Sequence, residues 1–149
     1  MLDKVVVITG ASSGIGAALA QATGSRGAKP VLVARREATL REVAARAAPE
    51  ALAVVADVTR REDVNRVRDA ALSRFGRIDV WVNNAGRGIT RVVSELTDED
   101  FDLMMLVNVK SALYGMQTVL PHFKGRGSGH IVNVSSMLGR IPFAPQRSA

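Results

Sequence analysis

Three glycines and two serines near the start of the chain form a group suited to binding phosphate. They lie in the run Thr9-Gly10-Ala11-Ser12-Ser13-Gly14-Ile15-Gly16. Gly10 permits a tight turn out of a strand, and Gly14 and Gly16 permit close backbone approach where a helix begins. The open N–H groups and positive dipole end of such a helix favour a pyrophosphate, and Ser12 and Ser13 add hydroxyl donors. The run therefore predicts a nucleotide-binding loop; the alternative is that its glycines only close a tight turn.

Strand-like and helix-like segments alternate along the chain and must position this loop. Short apolar, β-branched runs predict five buried parallel strands, at Val5–Thr9, Pro30–Ala34, Ala51–Val55, Ile78–Asn83 and His130–Val134. The segments between them predict helices, at Gly14 to about Ala22, Ala38 to Ala48, Arg60 to Arg74 and Asp98 to about Phe123. Thr59 with Glu62 forms a potential capping box before the third helix. Thr97 with Asp100 forms another before the fourth.

This alternation predicts an α/β fold of Rossmann type, a doubly wound parallel sheet with helices on both faces. Right-handed crossovers require the winding to reverse direction if both faces are to be covered. The expected strand order is 3-2-1-4-5, with the reversal between the first and fourth strands. A ligand is expected beside the carboxyl ends of those strands, after Thr9 and after Asn83. The length suits one domain, so residues 1–149 are assigned to a single nucleotide-binding domain.

Composition excludes several other classes of protein. Hydrophobic residues make up 47% of the chain, and no apolar run approaches the roughly 18–20 residues that span a bilayer. Cysteine is absent and there are two histidines, so neither a metal site nor a disulfide is expected. No signal-peptide pattern follows Met1, and a cytoplasmic protein is expected. The net charge is +6, but the arginines are scattered without interleaved aromatics; they are interpreted as solvated helix faces, with no nucleic-acid partner.

Four further motifs accompany the glycine loop along the chain. They are Asp57-Val58 after the third predicted strand, Asn83-Asn84-Ala85-Gly86 ending the fourth, Asn108 in the long predicted helix, and Ile131-Val132-Asn133-Val134-Ser135-Ser136 on the fifth strand. With the TGxxxGxG spacing of the loop, they make all 149 residues resemble the short-chain dehydrogenase/reductase family. The resemblance implies an oxidoreductase that moves a hydride between a nicotinamide cofactor and a small carbonyl or alcohol substrate. It also implies a homo-oligomer for a full-length member.

The resemblance indicates which residues contact the cofactor. In the glycine loop these are Thr9, Gly10, Ser12, Ser13, Gly14, Ile15 and Gly16. Further along the chain they are Asp57, Val58, Asn83, Ala85 and Gly86. Asp57 would contact the adenine edge, although it can also be interpreted as a loop residue near Thr59. Gly86 would leave room for the ribose, and Asn83 would also tie the central sheet together.

The end of the second predicted strand bears on the choice between NAD(H) and NADP(H). NAD-preferring sites place an acid about 20 residues past the glycine loop, where it binds the ribose 2′-hydroxyl. Here Arg35 and Arg36 follow Ala34, and guanidinium groups attract a 2′-phosphate that an acid would repel. NADP(H) is therefore expected in preference to NAD(H). Glu37 is the competing acid, and the remaining alternative, two solvated arginines, is disfavoured because a helix N-terminus is unfavourable to cations.

The catalytic groups that the resemblance implies are only partly present. Ser136 is assigned to substrate positioning, with Ser135 as the alternative, and Asn108 to holding a water in the proton relay. Asn108 can also be interpreted as a buried helix asparagine satisfied by backbone. The family's Tyr-x-x-x-Lys motif, expected a little over a dozen residues after Ser136, is absent, and the only tyrosine is Tyr114. The chain is therefore expected to be a truncated form that ends after strand five and lacks normal turnover.

Three functional hypotheses follow from these residues. The first is an NADP(H)-dependent oxidoreductase of the short-chain type. The second is a non-catalytic NADP(H)-binding module, which the missing tyrosine and lysine favour. Ser136 and Asn108 favour the first, because a protein that only binds the cofactor does not need them. A nucleic-acid binder is the third hypothesis, and it rests on charge alone.

Overall fold

The computed structural model describes residues 1–136, and residues 137–149 lie outside the described part of the chain. The strands are β1 (Val5–Thr9), β2 (Lys29–Ala34), β3 (Leu52–Val55), β4 (Val80–Asn83) and β5 (His130–Asn133). All neighbouring pairs are parallel, and the order in the sheet is β3-β2-β1-β4-β5. The predicted α/β class and strand order are confirmed, with strand boundaries that shift by at most two residues.

Helices connect the strands and cover both faces of the sheet. They are α1 (Gly14–Gly24), α2 (Glu37–Ala47), α3 (Arg61–Phe75), α4 (Asp98–Met104) and α5 (Ser111–Arg126). A short 3-10 helix at Val93–Glu95 precedes α4, and a π-helical segment at Met105–Lys110 joins α4 to α5. Among the helices of residues 1–136, none is both long enough and apolar enough to cross a membrane.

The central strand β1 is buried on both sides because its side chains alternate between two apolar layers. Val5 and Val7 join a cluster with residues of α3 and α5. Val6 and Ile8 join a second cluster with residues of α1 and α2. All four side chains are at most 1% exposed. Burial on both faces explains why the strands appear in the sequence as continuous apolar runs rather than as alternating ones.

One of the two predicted capping boxes is confirmed. The hydroxyl of Thr97 accepts the N–H of Asp100 at 3.2 Å, at the start of α4. The prediction for Thr59 is wrong, since α3 begins at Arg61 and Thr59 caps nothing. The reason is local competition, because the N–H and O–H of Thr59 both donate to Oδ1 of Asp57, at 2.9 and 2.7 Å.

The predicted long helix from Asp98 to about Phe123 is confirmed in extent, since residues 98–126 are helical throughout, but its middle is π-helical rather than α-helical. The π-helical segment Met105–Lys110 divides it into α4 and α5. At the junction the hydroxyl of Ser111 donates to the carbonyl oxygen of Val107 at 2.6 Å. Widened turns of this kind often occur at functional sites, and this one carries Asn108, which the sequence singles out.

Asp79 ties together the amino ends of the central strands, opposite the predicted site. Its Oδ2 accepts the N–H of Val5 at 2.8 Å and Nε of Arg77 at 3.0 Å. Its Oδ1 lies 3.4 Å from Nη1 of Arg126 and 3.7 Å from Nζ of Lys4. Burial alone would raise the pKa of Asp79, but the Val5 amide and the nearby cations outweigh it and hold this pKa below its ordinary value. Asp79 thereby fixes β1 beside β4.

Candidate functional site

The carboxyl ends of β1 and β4 meet where the sheet reverses its winding. Gly10, directly after β1, has φ +67°, a left-handed conformation that favours glycine. A Cβ at Gly10 would lie 2.8 Å from Cα of Ala85 and 3.1 Å from Nδ2 of Asn84. No side chain fits in this contact, so the glycine loop and the loop after β4 pack backbone against backbone.

Thr9 and Asn84 bind these two loops to each other. The Thr9 hydroxyl accepts the N–H of Asn84 at 2.9 Å and the N–H of Ala85 at 3.0 Å. In return, Nδ2 of Asn84 donates to the carbonyl oxygen of Thr9 at 2.9 Å. Thr9 is only 4% exposed. In this structure the Thr9 hydroxyl therefore supports the loops, and its predicted contact with a cofactor stays a prediction.

Gly16 lets the first turn of α1 approach the same contact. An added Cβ at Gly16 would meet the carbonyl oxygen of Gly10 and would lie 2.6 Å from Nδ2 of Asn84. The absence of a side chain at Gly16 is therefore required by packing. It brings the start of α1 close to the ends of both β1 and β4.

The outer side of the glycine loop is open. Gly14 has φ +54°, and no neighbouring atom of residues 1–136 lies within 4 Å of the position of an added Cβ. Ser13 is the N-cap residue of α1, and its side chain makes no capping hydrogen bond. Ile15 is 68% exposed. The first turn of α1 thus lacks a side-chain cap for its N–H groups and faces open space, as binding of an anion requires.

Arg36 joins the end of β2 to the glycine loop. Its Nη2 donates to Oγ of Ser12 at 3.1 Å and to Oγ of Ser13 at 3.2 Å. Arginine only donates, so each hydroxyl accepts from Arg36 and keeps its own O–H for a further acceptor. The structure thus brings together three predicted site residues as a surface with one positive charge and two hydroxyl donors.

Arg35 and Glu37 lie on either side of Arg36 and differ in their partners. Arg35 is exposed and has no hydrogen bond or ion pair with another residue of 1–136. Glu37 is the first residue of α2, and its Oε1 accepts Nε and Nη2 of Arg41 at 2.9 and 2.7 Å. The acid that competes for the ribose 2′-hydroxyl is therefore held by a neighbour in its own helix.

Asp57 and Val58 follow β3 at the same edge of the sheet. Oδ1 of Asp57 accepts both donors of Thr59, and the N–H of Asp57 donates to Oδ2 of Asp63 at 2.8 Å. That N–H and the Arg66 guanidinium hold the pKa of Asp63 below its ordinary value. Val58 is half-buried against the apolar layer formed with α3 and α5. These hydrogen bonds favour the loop role for Asp57, and its contact with adenine stays a prediction.

Asn83 lies inside the sheet rather than on the surface of the site. Its Oδ1 accepts Nε1 of Trp81 at 2.8 Å, and its Nδ2 donates to Oδ1 of Asn133 at 2.8 Å and to the carbonyl oxygen of Ala112 at 3.3 Å. The residue is 6% exposed. Gly115 of α5 makes room for this cluster, because an added Cβ there would contact Oδ1 of Asn83. Asn83 therefore ties β4 to β5 and to α5.

The side chain of Asn108 binds the backbone of the loop after β4. Its Oδ1 accepts the N–H of Arg87 at 2.8 Å, and its Nδ2 donates to the carbonyl oxygen of Arg87 at 2.9 Å. Gly86 permits this approach, since an added Cβ would lie 3.2 Å from Oδ1 of Asn108. Asn108 is exposed, so the expectation of a buried residue is not met, although its amide is satisfied by backbone.

The family model described as short chain dehydrogenase matches residues 4–148. The chain belongs to the short-chain dehydrogenase family. One curated relative, an uncharacterized oxidoreductase of Staphylococcus epidermidis, is 40% identical over 140 residues, which cover 94% of this chain and 61% of the relative. This short-chain dehydrogenase sequence therefore spans about 61% of the length of that relative.

Solved structures of other short-chain dehydrogenases share the fold. A 3-ketoacyl-(acyl-carrier-protein) reductase from Brucella melitensis, crystallised with NADH, superposes with a TM-score of 0.88 at 39% identity, covering 93% of this chain and 60% of that one. A short chain dehydrogenase/reductase from Burkholderia phymatum in complex with NAD superposes with a TM-score of 0.90 at 35% identity, covering 95% and 52%.

Ser135 and Ser136, the two serines considered for substrate positioning, lie after β5 at the end of the described residues. β5 ends at Asn133, so Ser135 and Ser136 follow the strand and strand alternation does not decide between them. Both serines are exposed. Tyr114 lies in α5, where the Arg61 guanidinium sits 4.2 Å from the centre of its ring. Within residues 1–136, no three His, Cys, Asp or Glu side chains form a group that could hold a metal ion.

Sequence reasoning missed two residues that build the site of this short-chain dehydrogenase. Asn84 was read only as part of a motif, yet its side chain joins both loops. An amide directly after a strand at the reversal point was an available signal. Arg41 lies four residues after Glu37, and the available signal was this spacing, at which oppositely charged helix side chains form ion pairs.

Proposed function

We propose that this chain binds NADP(H) and acts as the cofactor-binding part of an oxidoreductase of the short-chain type. In that reaction a hydride moves between the nicotinamide and a small carbonyl or alcohol substrate. The observation that carries the proposal is the contact of Arg36 with Ser12 and Ser13. It joins a guanidinium at the end of β2 to the loop suited to phosphate. A single site thereby offers donors for a pyrophosphate and for a 2′-phosphate.

The residues present fit a dinucleotide. Gly10 and Gly16 leave no room for side chains where the loops meet, and Gly14 leaves open space on the outer side. The N–H groups at the start of α1, together with Ser12 and Ser13, would hold the pyrophosphate. Arg35 and Arg36 would hold the 2′-phosphate, because a guanidinium pairs with phosphate oxygens through two parallel hydrogen bonds.

The chemistry of the bound nicotinamide would be hydride donation or acceptance at a carbonyl or alcohol carbon. This chain would contribute Ser136, whose hydroxyl would donate a hydrogen bond to the substrate oxygen, and Asn108, which fixes the loop after β4. Reduction of a carbonyl also needs a proton donor with a pKa near the working pH. The sequence has no Tyr-x-x-x-Lys motif to supply one.

Two alternatives have observations of their own. NAD(H) is the competing cofactor, because the similar proteins from Brucella melitensis and Burkholderia phymatum were crystallised with NADH and NAD. A non-catalytic NADP(H)-binding module is the competing function, because the contacts of Arg36 with Ser12 and Ser13 bear on cofactor binding and not on turnover. The first alternative changes the cofactor preference, and the second leaves that preference intact while removing turnover.

Calorimetric titration with NADPH and NADH tests the proposal. We expect the chain to bind NADPH about tenfold or more tightly than NADH, since a hydrogen bond to a charged group contributes roughly 1.5–3 kcal/mol. Arg36→Ala should remove most of this difference. Arg46→Ala is the matched control, because Arg46 lies in the last turn of α2 and, among residues 1–136, bonds only the carbonyl of Glu42. Equal affinities for both cofactors in the unaltered chain would contradict the proposal.

A further inference from the structure

Glu37 brings a negative charge to the segment that carries Arg35 and Arg36. It directly follows Arg36 and is the first residue of α2. A carboxylate at this place accepts a hydrogen bond from a free ribose 2′-hydroxyl and repels a 2′-phosphate. A freely moving Glu37 would therefore oppose the cofactor preference that the two arginines create.

The structure holds this carboxylate in place. Nε and Nη2 of Arg41 both donate to Oε1 of Glu37, at 2.9 and 2.7 Å. Arg41 lies one turn further along α2. Charge-assisted hydrogen bonds from one guanidinium restrain the carboxylate and offset its charge at short range. An i,i+4 pair of this kind is also compatible with the helix, so no strain opposes it.

We propose that Arg41 is a positioning residue for cofactor choice, acting through Glu37, an inference that rests on the proposed preference for NADP(H). With the ion pair intact, Arg35 and Arg36 face a 2′-phosphate without a free acid beside them. Without Arg41, the carboxylate of Glu37 is released to accept a hydrogen bond from a 2′-hydroxyl, and the preference moves toward NADH.

Loss of the positive charge of Arg41 would itself weaken the attraction for a phosphate, so the experiment separates the two effects. The affinities for NADPH and NADH are measured by calorimetry at low ionic strength for Arg41→Ala, Glu37→Gln and the double variant. A double-variant cycle isolates the part of the effect that passes through Glu37. Arg46→Ala removes one positive charge from the same helix without touching Glu37, and is the matched control.

We expect Arg41→Ala to lower the ratio of NADPH affinity to NADH affinity by about three- to fivefold, the scale of an exposed charge interaction. In the Glu37→Gln background the same change should leave the ratio within about twofold, and Arg46→Ala should also leave it within that limit. The effect should shrink at high salt, because exposed charges are screened. Thermal melting of each variant identifies any that fail to fold.

Two outcomes would overturn the role of Arg41, and a third would overturn the proposed function as well. An equal fall of the ratio in both backgrounds would mean that Arg41 acts by its own charge. An unchanged ratio in Arg41→Ala would mean that Glu37 does not influence the cofactor. If the unaltered chain binds NADPH no more tightly than NADH, the proposed function fails together with this inference, and the first titration alone identifies that case.

Discussion

The side chain of Asn108 and the backbone of Arg87 form a closed pair of hydrogen bonds. Oδ1 of Asn108 accepts the Arg87 N–H at 2.8 Å, and Nδ2 donates to the Arg87 carbonyl oxygen at 2.9 Å. The pair links the π-helical segment to the loop after β4, and the small size of Gly86 permits the approach. Asn108 therefore acts on the site first by fixing this loop, whereas its role in a proton relay stays a prediction.

Asn108→Ala should loosen the loop after β4. It removes two hydrogen bonds. A hydrogen bond typically contributes about 0.5–1.5 kcal/mol to stability, and these two contribute less because Asn108 is exposed. We expect the free energy of unfolding to fall by about 1 kcal/mol and the Arg87 amide to exchange with solvent at least about tenfold faster. Hydrogen exchange at residues 86–88 measures this directly. Lys110→Ala, a change at an exposed residue of the same π-helical segment, is the control.

Asn108→Asp sharpens the same test. Aspartate keeps an acceptor for the Arg87 N–H but places a second oxygen against the Arg87 carbonyl, so the second hydrogen bond is lost. The exchange rate of the Arg87 amide in Asn108→Asp should lie between the rates in the unaltered chain and in Asn108→Ala. Unchanged exchange in both variants would show that the pair does not hold the loop.

Gly14 and Gly76 distinguish a binding role from backbone strain. Both have positive φ, +54° and +71°, with nothing within 4 Å of an added Cβ. Alanine at either position should therefore cost a similar 1–2 kcal/mol or so of stability, from the left-handed backbone. Gly14→Ala should in addition weaken NADPH binding about tenfold or more, since Gly14 lies in the predicted phosphate loop and Gly76 does not. Calorimetry on both variants, below their melting temperatures, makes the comparison. Equal NADPH affinities of Gly14→Ala and Gly76→Ala would show that the turn at Gly14 does not bind the cofactor phosphate.

Acid should destabilise the chain partly through Asp79. Its pKa is lowered in the folded state by the Val5 amide and by Arg77 and Lys4, despite its burial. A carboxyl whose folded pKa lies below its unfolded value contributes stability above the unfolded value, about 3.9, and loses it as pH falls through the folded value. Denaturant unfolding from pH 7 down to about pH 2 should show this loss.

Asp79→Asn should remove that contribution at neutral pH. We expect a loss of about 2–4 kcal/mol at pH 7, because the Arg77 and Arg126 cations then face a neutral amide in a buried position. The difference between the variant and the unaltered chain should narrow in acid. Asp69→Asn is the control, since Asp69 is exposed and, within the described part of the chain, pairs only with its neighbour Arg68. A difference that does not depend on pH would contradict the assignment to Asp79.

The fold could be predicted because its information is local. Strands β1 and β2 are short apolar runs buried on both faces, and the order 3-2-1-4-5 follows from covering both faces with right-handed crossovers. The π-helical segment could not be predicted, because the apolar pattern continues before and after the widened turn. The amino-acid composition of the segment does not distinguish it from an α-helix. Thr59 failed as a cap for a similar reason, since Asp57 offers its donors a nearer acceptor.

The site was predictable where backbone conformation demands a residue type. Gly10 and Gly16 could be identified because no other residue fits a tight turn against another loop. Asn83 was correctly expected to tie the sheet together, whereas the role of Thr9 was less accessible, since its partners Asn84 and Ala85 lie about 75 residues away in sequence. Asp79 was harder to identify, because of the cations around it only Arg77 is near in sequence, whereas Lys4 and Arg126 come from distant parts of the described chain.

Tyr114→Phe should leave cofactor binding unchanged. The ring of Tyr114 packs against the apolar layer and under the guanidinium of Arg61, and both contacts survive loss of the hydroxyl. We expect NADPH affinity within about twofold and a change in stability below about 1 kcal/mol. NADPH-dependent carbonyl reduction by residues 1–149 should be undetectable before and after the change, because the sequence holds no other tyrosine to act as the acid. The assay is NADPH absorbance with a panel of small ketones and aldehydes. Turnover that disappears in Tyr114→Phe would make Tyr114 the proton donor and would overturn its packing role.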